Sequence, residues 1–364
     1  MQINDTAMNK LLTLMRQNDV DTTFIVPGPN MLYFTGLKIK QSERVTFLVI
    51  LRNGEIHSLV PEVEQDKFKA VFENNVISYK DEEGIEGALQ QLKAVLPQED
   101  FRASVEYSNC RVTEYRVFQS LGCELTNADH LIDSLRLIKE DQEITELQNA
   151  AKVLEDSFKA TLPFIKPDIT EVEIAAQLEY EMKKRGSAGT PFETIVASGP
   201  RGASPHGRAG AKKIAAGELV VIDFGCIIDG YVGDICRTVA VGNISDEARK
   251  AYEIVKEAQQ HAVNLIKPGI TAGEIDEAAR SIIRSHGYGA YFNHRTGHGL
   301  GINPHEEPYI MQNNDQALEP GMVFSVEPGI YLPNKFGIRI EDTIAVTEDG
   351  HINLMNLEKD LIEV

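Results

Sequence analysis

Leu219-Val220-Val221-Ile222-Asp223-Phe224-Gly225 and Met322-Val323-Phe324-Ser325-Val326-Glu327-Pro328-Gly329 are two strand-like stretches, each carrying one carboxylate among apolar neighbours. Each follows a turn signal, Ala216-Gly217 in the first case and Pro320-Gly321 in the second, at the same distance. A carboxylate buried without a partner costs several kcal/mol. Two of them at matching points of look-alike strands imply a cation that neutralises both.

The likeness extends upstream. Ile165-Lys166-Pro167-Asp168-Ile169-Thr170-Glu171-Val172-Glu173-Ile174 matches Ile266-Lys267-Pro268-Gly269-Ile270-Thr271-Ala272-Gly273-Glu274-Ile275. Both copies hold a Thr-x-x-Glu capping box that opens a helix. Helices are expected over about 142–165 and 245–266 before these segments, and over about 171–185 and 272–286 after them. One helix-helix-strand unit is therefore used twice, with a site between the copies. Two copies are too few for a solenoid, so a closed pseudo-symmetric domain is expected.

The chain has 364 residues, enough for two domains with substantial cores. Its formal net charge of −19, with no offsetting basic stretch, argues against nucleic acid or an anionic membrane as partner. No apolar run approaches the length of a membrane span, and the Met1-Gln2-Ile3-Asn4-Asp5 start carries no export signal. Cys110, Cys123, Cys226 and Cys236 form no Cys-x-x-Cys pair, so a reducing cytoplasm is expected.

Residues 1–130 alternate helix-like and strand-like patterns and read as a smaller α/β domain with a mixed sheet. Val45–Leu51 and Glu55–Val60 flank Asn53-Gly54, a strong hairpin signal. The polar stretch Thr126-Asn127-Ala128-Asp129-His130 marks the expected boundary, with the doubled domain over 131–364.

Asp223 and Asp234 flank the tight turn Ile228-Asp229-Gly230. In a hairpin closed by a two-residue loop, facing residues have numbers with an odd sum. Asp223 and Asp234 therefore share one sheet face, opposite or diagonal to each other. In the second copy Glu327 precedes Phe336-Gly337-Ile338-Arg339-Ile340-Glu341-Asp342-Thr343, a second strand on which Arg339 and Glu341 share a face and Asp342 points away. The glycine-rich His294-Arg295-Thr296-Gly297-His298-Gly299-Leu300-Gly301 lies between the copies. Four carboxylates and an imidazole form a mostly hard-oxygen set, suited to two divalent ions better than to one tetrahedral zinc. Asp223-Phe224-Gly225 matches a kinase motif, but no glycine-rich loop or His-Arg-Asp supports it.

The order Asp223, Asp234, His298, Glu327, Glu341, with Gly297-His298-Gly299-Leu300-Gly301, Val326-Glu327-Pro328-Gly329 and Ile338-Arg339-Ile340-Glu341-Asp342-Thr343 around it, resembles the pita-bread metallopeptidases. Xaa-Pro dipeptidase (prolidase) and aminopeptidase P are the members in view. The resemblance is strong over 131–364 and weaker in the N-terminal third, through Asn30-Met31-Leu32-Tyr33-Phe34-Thr35-Gly36. It implies an α/β (α+β) chain with a pita-bread catalytic domain.

It further implies two divalent ions per subunit, manganese first, with cobalt or zinc as substitutes. Asp223 and Asp234 hold one ion, His298 and Glu327 the other, with Asp234 and Glu341 bridging. Glu327 also shuttles a proton. His206, His294 and His305 match the family's further histidines, with His305 and His206 stabilising the oxyanion. Arg339 pairs with a ligand carboxylate or with the substrate terminus. Gly233 and Cys236 stand where the family often has Ser and Thr. The expected activity is cleavage of the Xaa-Pro bond of dipeptides by a cytoplasmic homodimer. Release of the N-terminal residue from longer Xaa-Pro peptides is the alternative. A creatinase-like hydrolase or a non-catalytic peptide-binding scaffold is further off, because every ligand position is filled.

Overall fold

The computed structural model describes residues 3–98 and 100–364. The chain divides into two compact units, Met1–Arg136 and Leu137–Val364.

The first unit is built on a six-stranded mixed sheet. Its strand order is Val76–Tyr79, Ile56–Pro61, Phe47–Leu51, Thr22–Ile25, Arg102–Val105, Glu124–Asn127. The Asn53-Gly54 hairpin forms as read, with Phe47–Leu51 antiparallel to Ile56–Pro61 and Gly54 at φ +95°. Phe24, Phe47 and Phe118 centre the core, the Phe24 and Phe118 rings stacked at 4.4 Å. Thr126 and Asn127, read as part of a polar boundary, belong to the edge strand, and helix Asp129–Leu137 follows.

The second unit carries the repeat. Helices Asp141–Thr161 and Glu171–Lys184 correspond to Asp246–Leu265 and Ala272–Ser285. Both capping boxes form. Glu173 N–H donates to Thr170 Oγ1 at 3.3 Å and Glu274 N–H to Thr271 Oγ1 at 3.2 Å, while each glutamate accepts from its threonine N–H at 2.8 Å. The first helix pair covers the sheet ordered Ile362–Glu363, Tyr231–Val241, Glu218–Ile228, Ile195–Ser198, through Leu154, Phe158 and Leu178 against Val220, Ile222 and Phe224. The second covers the sheet ordered Glu306–Ile310, Gly297–Gly299, Val323–Val326, Asp342–Val346, His351–Asn353, through Tyr252, Val255 and Ile275 against Phe324, Val326 and Ile344. Gly233 lies where the first helix pair presses closest. A Cβ there would come within 2.8 Å of Leu154 Cδ1 and 3.0 Å of Ala150 Cβ.

The second hairpin departs from the expectation of two unbroken strands. Val323–Val326 pairs with Asp342–Val346, whereas Gly329–Leu332 pairs with Phe336–Arg339 in a separate two-stranded sheet. Pro328 has no N–H to give the ladder, so the chain changes sheets there. Glu327 and Glu341 sit at the two break points instead of within strands. Glu341 N–H bonds to Cys236 O at 3.1 Å, and Thr238 Oγ1 to Arg339 O at 3.0 Å, so the broken strand leans on the first hairpin. Among the described residues, no helix is long and apolar enough to cross a membrane.

Candidate metal centre

The strands of Glu218–Ile228 and Tyr231–Val241 pair without a bulge over eleven residues each. Ile228 faces Tyr231, Gly225 faces Asp234 and Asp223 faces Cys236, which sets the two aspartates diagonal on one face. Gly225 leaves the space beside Asp234. A Cβ there would meet Pro191, Gly233 O and Phe192 within 2.8 Å.

Asp223, Asp234, His298 and Glu341 are buried, 7%, 4%, 4% and 1% exposed. Together with Glu327, His206, His294, His305 and Arg339 they line one cavity of about 450 Å³. Asp234, His298 and Glu341 each offer a ligand atom within 4.8 Å of the other two. Asp223 is drawn aside by an ion pair with Arg339 Nη2. Glu327 Oε1 lies 3.2 Å from His298 Nε2 and accepts from Ser325 Oγ at 3.2 Å.

The tautomer of His298 follows from its neighbours. Nδ1 is 3.1 Å from the Gly299 carbonyl, which can only accept, so Nδ1 carries the proton and Nε2 faces the carboxylates. His294 is fixed likewise. Its Nδ1–H donates to Arg295 O at 2.7 Å, and its Nε2 accepts from the Tyr331 hydroxyl at 2.9 Å. Tyr331 in turn accepts from Arg339 Nη1 at 2.8 Å.

The electrostatics favour a cation here. Burial, and then the charge of its neighbours, pushes the Asp234 and Glu341 carboxyls well above the ordinary carboxylate range. Asp223 is raised by burial despite Arg339. Asp234 Oδ1 and Glu341 Oε2 are buried with no hydrogen-bond partner. Glu193 on the cavity wall is paired with Arg208 at 2.9 Å, whereas Asp223, Asp234, Glu327 and Glu341 have Arg339 among them, paired to Asp223, and Asp234 and Glu341 keep unpartnered oxygens. Oxygen donors with one imidazole fit a divalent ion at this point.

Glu327 behaves differently. Burial would raise it, but its contact with His298 and the positive charge of Arg339 act the other way and lower it, so it stays ionised. His305 is open to solvent on one side and half enclosed on the other. That enclosure, with His298 and Arg295 beside it, lowers its imidazole to about 4 and keeps it neutral near pH 7. Asp342 faces away, as its alternation predicts, and is held by Arg237 at 2.7 Å and Lys359 at 2.8 Å.

Sequence reasoning missed Phe192, Glu193, Ile195, Pro205, Arg208, Arg295 and Pro304, which complete the cavity wall. Arg295 sits next to His294 in the quoted glycine-rich segment, and its guanidinium lies 4.4 Å over the Tyr309 ring. Nothing local in the sequence marks the others.

Known proteins resemble this chain along its whole length. The model of metallopeptidase family M24 matches residues 145–348, and that of the creatinase/prolidase N-terminal domain matches 8–138. The chain belongs to metallopeptidase family M24 and is a peptidase. An Xaa-Pro dipeptidase of Pyrococcus horikoshii is 38% identical over 363 residues, spanning 100% of both chains. The recombinant prolidase of Thermococcus sibiricus superposes with a TM-score of 0.94 at 35% identity, covering 99% of each chain. An X-Pro aminopeptidase from Thermotoga maritima superposes at 0.87 with 33% identity, covering both chains in full.

Proposed function

We propose that the protein hydrolyses the bond between an N-terminal residue and proline in dipeptides. The observation that carries this reading is the pair of unpartnered buried oxygens, on Asp234 and Glu341, beside His298. Asp223 and Asp234 would hold one divalent ion, His298 and Glu327 a second, with Asp234 and Glu341 shared between them. Such ions polarise a carbonyl and make a water acidic enough to attack it near neutrality.

The remaining work falls to side chains. Glu327, ionised and at the cavity wall, accepts the proton of the attacking water and returns one to the departing proline nitrogen. His305, neutral at working pH, donates a hydrogen bond to the carbonyl oxygen as it gains charge, and His206 at the same rim can assist. Arg339 restrains Asp223, and the Tyr331–His294 bond holds the neighbouring wall. Phe192, Ile195, Pro205 and Pro304 supply apolar surface suited to a pyrrolidine ring. Arg295 adds positive charge for the free carboxylate of a dipeptide, Arg208 being paired with Glu193.

Manganese as the metal, a homodimer as the assembly and the cytoplasm as the compartment belong to the same reading. Metal analysis, light scattering and cell fractionation test them. The likeness to the Thermotoga aminopeptidase favours a second reading, action on longer peptides. Chelated protein should be inactive and regain Ala-Pro hydrolysis with manganese. Hydrolysis of Ala-Pro-Gly at an equal or higher kcat/KM would replace the dipeptidase reading with the second one.

A further inference from the structure

The catalytic unit holds a further buried ion pair, between residues given no role above. Lys139 Nζ lies 2.6 Å from Glu306 Oε1, and the two side chains are 2% and 5% exposed. Such a pair gains little by itself, since each ion gives up its water. What it fixes in place is therefore the question.

Glu306 directly follows His305 and opens the strand Glu306–Ile310. Successive residues of extended chain point to opposite sides. His305 accordingly faces the cavity, its ring 4.1 Å from that of His298, while Glu306 reaches into the protein below. Glu306 pairs with Gly299, so the loop 300–305 closes the hairpin between them, and the register shift leaves Glu307 and Pro308 as the extra residues of the ladder. Lys139 holds the Glu306 end of that loop, with its own N–H bonded to Gly321 O at 2.8 Å. The other end of the loop is fixed where Val232 N–H donates to Gly301 O at 2.7 Å. Gly301 leaves room for the pair. A Cβ there would come within 2.6 Å of Glu306 Oε1 and 3.1 Å of Lys139 Cε.

We propose that Lys139 and Glu306 are a positioning pair that sets the imidazole of His305 at the reacting carbonyl, acting on turnover and not on substrate or metal binding. This rests on the role given to His305 above. A loop displaced by about 1 Å can cost about a hundredfold in rate.

The test uses the full-length, manganese-loaded protein with Ala-Pro as substrate. Lys139→Met should lower kcat by about ten- to a hundredfold, while KM and manganese content stay within about twofold of the parent. In a His305→Ala background the same change should cause no further loss of kcat. Should Lys139→Met fail to fold, with the buried Glu306 carboxylate deprived of the lysine charge, Lys139→Met/Glu306→Gln carries no charge and is read in the same way. A parental kcat in either variant, or an equal loss with His305 absent, overturns the proposal. A parental kcat for His305→Ala alone would instead sink the reading of His305 given under Proposed function, and the pair's role with it.

Discussion

His298 and Glu327 face each other at 3.2 Å with Nε2 turned toward the carboxylates, so each is needed both to hold charge and to orient the other. His298→Ala or Glu327→Ala should lower kcat/KM for Ala-Pro by at least about a thousandfold, a loss of about 4 kcal/mol of transition-state stabilisation. Steady-state kinetics at fixed manganese check this, and a variant at parental activity would exclude the mechanism. A second residue titrates far from the site in sequence. Glu106, 2% exposed, accepts from Asn30 Nδ2 at 2.5 Å, but burial outweighs that bond and lifts it to about 7. A carboxyl raised from 4.5 when folded favours the folded state below pH 4.5, and that contribution is lost as pH climbs to about 7. Glu106→Gln should therefore gain stability relative to the parent at pH 8 but not at pH 4.5, by up to about 3 kcal/mol. Urea midpoints at the two pH values decide it.

Among the elements, the strand Gly297–Gly299 carries His298 through the middle of its sheet, and its glycines permit that closeness. A Cβ on Gly297 would lie 1.8 Å from Ser325 O on the neighbouring strand. Gly297→Ala should push the strands apart, cost about 3 kcal/mol or more, and weaken manganese binding with it. Thermal melts with metal titration read both effects. Helix Ala272–Ser285 supports the same strand from its other end. Asp276 accepts from Arg280, from Thr296 N–H at 3.1 Å and from Thr296 Oγ1 at 2.8 Å, while Arg280 donates to Phe292 O and His294 O. The helix itself was readable from the Thr271 capping box. Its hold on the His294 segment was not, because it joins side chains to backbone of a loop with no regular pattern.

At the scale of the whole molecule, the two helix-helix-sheet copies bring together carboxylates that repel one another when no cation is present. Asp223, Asp234 and Glu341 all have raised carboxyls, so the metal-free protein loses stability as pH rises and they ionise. A divalent ion both relieves that repulsion and binds the ionised form more tightly. The gap in Tm between manganese-loaded and chelated protein should widen from pH 5 to pH 8. A gap that is absent, or that shrinks with pH, would show that these carboxylates hold no ion.

By itself, the sequence determined the repeated unit, its capping boxes, the shared face of Asp223 and Asp234, and the order of the five candidate ligands. The first three are matters of short-range pattern, the 3.6-residue turn of a helix or the two-residue alternation of a strand, and the ligand order stood out by its resemblance to a family's motifs. The tertiary structure alone decided that Pro328 splits the second hairpin between sheets, that Arg339 draws Asp223 aside across 116 residues of chain, and that Lys139 anchors Glu306 across 167. Contacts of that span depend on how sheets and loops pack, and a local pattern of residues does not encode which distant partner fills a given space.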